Sequence, residues 1–153
     1  MLKLQNFHKS IDVLHYGCEA PRSYFLPFES EKASLSQRRE TSAFFKSLCG
    51  TWDFKWYPSA SHVEGTNVPV MPENADKLDV PMNWQAALGR GYDVPNYTNE
   101  NYPYPVDPPH VPDANPCGLY SRSFTLTESS IAGKDVMLNF EGVDSCFYLY
   151  VYG

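Results

Sequence analysis

Large apolar and polar residues alternate with a period of two in several stretches of this chain, and no stretch keeps a helical period for long. In GTWDFKWYP, Trp52, Phe54 and Trp56 alternate with Asp53, Lys55 and Tyr57, between Gly50 and Pro58. LDVPMNWQAAL starts as a short strand, stops at Pro81 and passes into a tight turn. LYSRSFTL sets Tyr120, Arg122, Phe124 and Leu126 on one face and Ser121, Ser123 and Thr125 on the other. DVMLNFEG aligns Val136, Leu138 and Phe140, and SCFYLYVYG sets Phe147, Leu149 and Val151 against Tyr148, Tyr150 and Tyr152. The turns TESSIAGK and EGVD between them carry Gly and Asp.

Successive short strands without helical partners predict an all-β chain folded as an antiparallel β-sandwich or jelly roll. The first residues behave differently. Residues 1–47 show no strong period and predict an extended, irregular N-terminal arm. Within it APRSYFLPFES spaces aromatic residues between Pro21 and Pro27, and SEKASLSQRRETSAFFKSL predicts a short helical turn. The sandwich is expected over 48–153. A jelly roll needs about eight strands, whereas four or five are readable, so it is expected to be truncated before its last strands.

One segment fits neither a strand nor a helix. YTNENYPYPVDPPHVPDANPCGLY, from Tyr97 to Tyr120, places six prolines among tyrosines and asparagines. Proline removes backbone donors and fixes φ, so this is a stiff loop rather than a flexible linker.

Composition narrows the function classes. The 153 residues are 42% hydrophobic and 20% charged, which is globular, and aromatics reach 15%. Aromatic faces suit sugar rings and protein partners, although a β-rich core uses the same residues. The net charge of −6 and the lack of a basic stripe argue against a nucleic-acid partner. No apolar run approaches a membrane span. MLKLQNFHKS has no apolar signal-peptide core, so the compartment, cytoplasm or periplasm, stays open.

The residues alone define no catalytic set. Glu141 and Asp144 in FEGVDS are the most tempting pair of carboxylates, but they read better as strand-end and turn residues. His8, His15, His62 and His110 lack metal-ligand spacing, and GRGYD is not a phosphate loop. Cys18, Cys49, Cys117 and Cys146 are far apart and read as free thiols.

Several motifs in order carry a resemblance. LCGTWDFKWYPS resembles the LNG-W-F-W-P opening of family 2 glycoside hydrolases of the β-galactosidase type, and VPMNWQ resembles their VPSNWQ. GYDVPNYTNENYPYPVDPPHVPDANPCGLYSRSFTL is similar to their GY--P-YTN--YP-PV-PP-VP--NP-G-Y-R-F. LNFEGVDSCFYLYVYG resembles L-FEGVDSAFY-WVNG. The likeness runs over roughly residues 20–153.

The resemblance implies the N-terminal sugar-binding domain of such an enzyme, a galactose-binding-like jelly roll. It also implies retaining hydrolysis of terminal β-D-galactosides by two glutamates on a separate barrel domain. Neither glutamate is in this sequence, so the chain alone is expected to be inactive. Asn99, in NYTNEN, matches the Asn that reaches the galactosyl ring in the family, and an amide offers donor and acceptor to sugar hydroxyls. Glu100 is its weaker neighbour as a substrate contact. The expected partners are the β-galactoside, the remaining domains of the same polypeptide and further copies in a homo-oligomer. Family members use magnesium and sodium, but no ligand here is assignable.

Departures from the pattern are Cys49 for Asn, Met82 for Ser and Tyr152 for Asn. Two other readings remain open at this point: a non-catalytic carbohydrate-binding module, and a complementing subunit of a split β-galactosidase.

Overall fold

A computed structural model describes residues 7–63, 68–95, 104–108 and 110–152. The chain forms two compact units. One holds the described residues within 1–16, 50–122 and 146–153, and the other those within 17–49 and 123–145.

The first unit is built on a three-stranded antiparallel sheet. Strand β1 is Gly50–Tyr57, β2 is Asp76–Val80 and β3 is Cys117–Ser121, in the order β2-β1-β3. The register sets Trp52 opposite Leu78 and Phe54 opposite both Asp76 and Tyr120. Trp52, Phe54, Trp56, Leu78 and Tyr120 therefore share one face, as the alternation in β1 predicts. Phe54 and Leu78 are fully buried there. Burial of each such side chain contributes roughly 1.5–3 kcal/mol.

The opposite face is polar and cross-paired. The Lys77 ammonium meets the Asp53 carboxylate directly across the ladder, and Thr51 Oγ1 donates to Asp79 Oδ1 at 2.7 Å. These pairs lie in solvent and contribute little individually.

Residues 84–92 cover the apolar face. After β2 the chain makes a 3-10 turn, Trp84–Ala86, which lays the Trp84 ring on Phe54 with centroids 6.2 Å apart. Tyr92 meets Phe54 edge-on at 5.1 Å, and Tyr120 lies tilted at 4.7 Å. Gly118 follows from this cover. A Cβ there would sit 2.8 Å from the Phe54 ring and 2.9 Å from that of Trp84. The indole N–H groups of Trp56 and Trp84 are buried without a partner among the described residues. Each costs about 1–3 kcal/mol, whereas an indole covering ~200 Å² gains at most about 5 kcal/mol from burial. Packing wins.

Gly50 opens β1 at a φ of +121°, a backbone region that other residues rarely enter. Arg122 lies over it, 3.2 Å from where a Cβ would be.

The second unit has no strand among its described residues. It contains two single-turn helices, α1 at Glu31–Ser34 and α2 at Glu128–Ile131. Ser30 caps α1 by accepting from the Ala33 amide, so the helical turn expected in this stretch is present. The buried Ser42 donates to the Pro27 carbonyl at 2.8 Å, and Lys46 donates to the Thr125 carbonyl at 2.6 Å. Arg39 lies over the Phe45 ring and Lys134 over that of Phe44.

The described fold is all-β with few helices, around one small antiparallel sheet. Three strand expectations need correction. LYSRSFTL forms a strand only as far as Ser121, and neither DVMLNFEG nor the described part of SCFYLYVYG is a strand. A strand exists through its ladder, and the described sheet ends at β2 and β3. Leu138, Phe140, Phe147, Leu149 and Val151 stay 37–63% exposed. In the last segment Tyr148 and Tyr150 are the more covered face. The His8 amide donates to Tyr148 Oη at 3.1 Å.

Candidate functional site

The residues singled out for substrate contact, Asn99 and Glu100, lie outside the described residues. The structure describes residues on either side of them, tied to β2 before the loop and to residues just after β1 beyond it.

The incoming end is held at β2. Asp76 lies opposite Phe54 in the register, is exposed to solvent, and accepts a hydrogen bond there. Tyr92 supplies it: its hydroxyl donates to Asp76 Oδ2 at 2.6 Å while its ring covers Phe54. Arg90 Nη1 donates to the Lys77 carbonyl at 2.6 Å, a second tie to the same strand. Burial pushes the Tyr92 phenol above its ordinary pKa. The Asp76 hydrogen bond adds to that rise, and the nearby Arg90 opposes it.

The outgoing end is held just beyond β1. The Ala60 amide donates to the Asn115 carbonyl at 2.8 Å, and Ser59 Oγ donates to the Asp113 carbonyl. Between these ties, Pro105, Asp107, His110, Val111, Pro112 and Asp113 line an open depression of about 260 Å³. The His110 amide donates to the Asp107 carbonyl at 2.8 Å.

Other candidates have structural partners. Glu141 pairs with Arg39 in the second unit, and this contact raises the Arg39 pKa chiefly through the hydrogen bond. His62 stacks on Tyr57 with ring centroids 6.1 Å apart. Cys117 is partly buried, and neither it nor Cys146 forms a disulfide among the described residues. Burial raises the pKa values of Cys117 and Cys146, which disfavours their thiolates. No group of three or more His, Cys, Asp or Glu among the described residues is arranged to hold a metal ion. No helix among the described residues is long and apolar enough to cross a membrane.

The sequence reading missed Tyr92 and Asp76. The available signal was weak: a tyrosine shortly before the proline-rich loop, and an acid at the start of a strand.

Comparison with known proteins agrees with the motifs. A β-galactosidase from Actinobacillus pleuropneumoniae is 40% identical over 148 residues, 97% of this chain. One from Yersinia pestis bv. Antiqua (strain Angola) is 41% identical over 128 residues, 83% of this chain. One from Yersinia pseudotuberculosis serotype O:1b has the same identity and coverage. The chain spans only 14% of the first relative and 12% of the other two. Residues 45–153 match the family described as glycosyl hydrolases family 2, sugar binding domain, and the chain belongs to that family.

Proposed function

We propose that this chain is the N-terminal sugar-binding part of a β-galactosidase that hydrolyses terminal β-D-galactosides with retention. The observation that carries the reading is the similarity of nearly the whole chain to a small fraction of much longer β-galactosidases. In this reading the chain supplies scaffold and one substrate contact. The two catalytic glutamates belong to the rest of the polypeptide, and so do the ligands for magnesium and sodium. The isolated chain should give no turnover of an aryl β-galactoside above a heat-treated control, and measurable turnover would end the proposal.

The complete domain is proposed to be a jelly roll, in which residues 135–142 and 145–152 become strands once neighbouring strands supply their ladders. Their period-two pattern and exposed apolar residues support this. Further copies of the whole enzyme are its proposed homo-oligomeric partners.

Asn99 is the proposed contact to the galactosyl hydroxyls, with Glu100 second. Asn99→Ala in the full-length enzyme should raise KM for o-nitrophenyl β-D-galactoside about tenfold or more, the range expected when hydrogen bonds to substrate are lost. Unchanged kinetics would remove Asn99 from the site.

A further inference from the structure

The last described segment faces the opposite way from the one its apolar residues favour. Phe147, Leu149 and Val151 are exposed by 48%, 49% and 63%, whereas Tyr148 and Tyr150 between them are more covered. Burying the three apolar side chains would gain more than burying two phenols, whose hydroxyls need partners. A specific contact therefore has to hold the tyrosine side inward. Side chains alternate along extended backbone, so fixing the direction of one residue fixes that of its neighbours.

The contact is at Tyr148. Its hydroxyl oxygen accepts the His8 amide at 3.1 Å and lies 2.9 Å from His8 Nδ1, and the two rings meet edge-on with centroids 6.0 Å apart. With Nδ1 unprotonated, the phenol donates to the ring while it accepts from the amide, so one oxygen makes two bonds to one residue. His8 is itself held in place. It lies in a 3-10 turn, Phe7–Lys9, closed by the Ser10 amide on the Phe7 carbonyl at 3.0 Å. Phe7 packs on Tyr16 with ring centroids 5.1 Å apart. His8 and Lys9 also line a crevice with Ser59, Ser61 and Asp113, just beyond β1. All of these residues belong to the first unit.

We propose that His8 is a latch that sets the facing of residues 146–152: it holds Tyr148 inward and thereby turns Phe147, Leu149 and Val151 outward. A strand formed by this segment would inherit that facing, because only a one-residue shift reverses it.

The test uses the intact chain. Tyr148→Phe keeps the ring and removes the oxygen that makes both bonds. Hydroxyl-radical footprinting, corrected for intrinsic reactivity, should show Tyr150 oxidised more slowly than Phe147 in the parent chain. In Tyr148→Phe, oxidation of Tyr150 should rise about threefold or more, the range that one or two hydrogen bonds command. Hydrogen exchange should quicken by a similar factor at residues 7–10, the other side of the contact. His8→Ala keeps the amide and loses the ring, so its effect on Tyr150 should be smaller and in the same direction. Tyr150→Phe should leave exchange at residues 7–10 unchanged. The urea midpoint read by tryptophan fluorescence should move little in all three variants.

An unchanged Tyr150 footprint in Tyr148→Phe overturns the proposal. So does a changed footprint with unchanged exchange at residues 7–10, since the facing would then be set from elsewhere. A fall in urea midpoint as large as that of Phe54→Ala overturns it as well, because the hydroxyl would then support the whole unit rather than one segment.

Discussion

Residues 50–57 and 145–152 carry the same alternation of large apolar and polar side chains, yet only the first is a strand. β1 has a neighbour on each side, a hydrogen-bonded ladder with both, and Trp84 and Tyr92 over its apolar face. Phe54 at its centre is wholly buried. In the later segment Phe147, Leu149 and Val151 remain about half exposed or more. A period-two pattern marks which residues can share a face. The ladder and the cover supply the free energy, and they come from other parts of the chain.

Four substitutions test this contrast, beginning where the cover is complete. Phe54→Ala should cost about 3–5 kcal/mol, because it empties the centre of the packed face. Urea unfolding followed by tryptophan fluorescence reads it, and a cost below about 1 kcal/mol would mean that β1 is no better packed than the later segment. Gly118→Ala should cost about 1–3 kcal/mol, since the new methyl runs into Phe54 and Trp84. If the protein tolerates alanine with no loss of urea midpoint, the aromatic cover is not close-packed.

Tyr120 offers a pH readout of the same cover. Burial pushes its phenol up to about 12. An unfolded tyrosine titrates near 10, so between these values the folded state holds a proton that the unfolded state has released. This stabilising contribution is complete below about pH 10 and is lost as pH rises towards 12. Tyr120→Phe should flatten the fall in urea midpoint across that window, and an identical slope would show that the phenol is not desolvated.

The smallest effect is expected in the later segment. Leu149→Ala should cost under about 1 kcal/mol in this chain, because half of the side chain already meets solvent. In the full-length enzyme, where the segment is proposed to pair, the same change should cost about 2–5 kcal/mol. Equal costs in the two settings would argue against strand formation there.

Much of the sheet was legible in the sequence. Trp52, Phe54 and Trp56 announced a face, and Pro81 marked the end of β2 immediately after Val80. The turn at Trp84 followed as expected. Illegible were the partners: that Asp76 would oppose Phe54, that Tyr92 would return to cap it, and that Gly118 would lie under two aromatic rings. Each joins residues distant in sequence, and no local period encodes which distant pair will meet. The candidate contact Asn99 was legible only through its motif, and the structure contributes the ends of its loop.

The sequence by itself determined the all-β character, the family and the proline-rich stretch that precedes β3. These depend on residue type and spacing along the chain. Only the tertiary structure decided which alternating segments became strands, which side chains form the core, and where the loop bearing Asn99 is fastened to the sheet. Those depend on free energies of burial and pairing that exist only when distant residues come together.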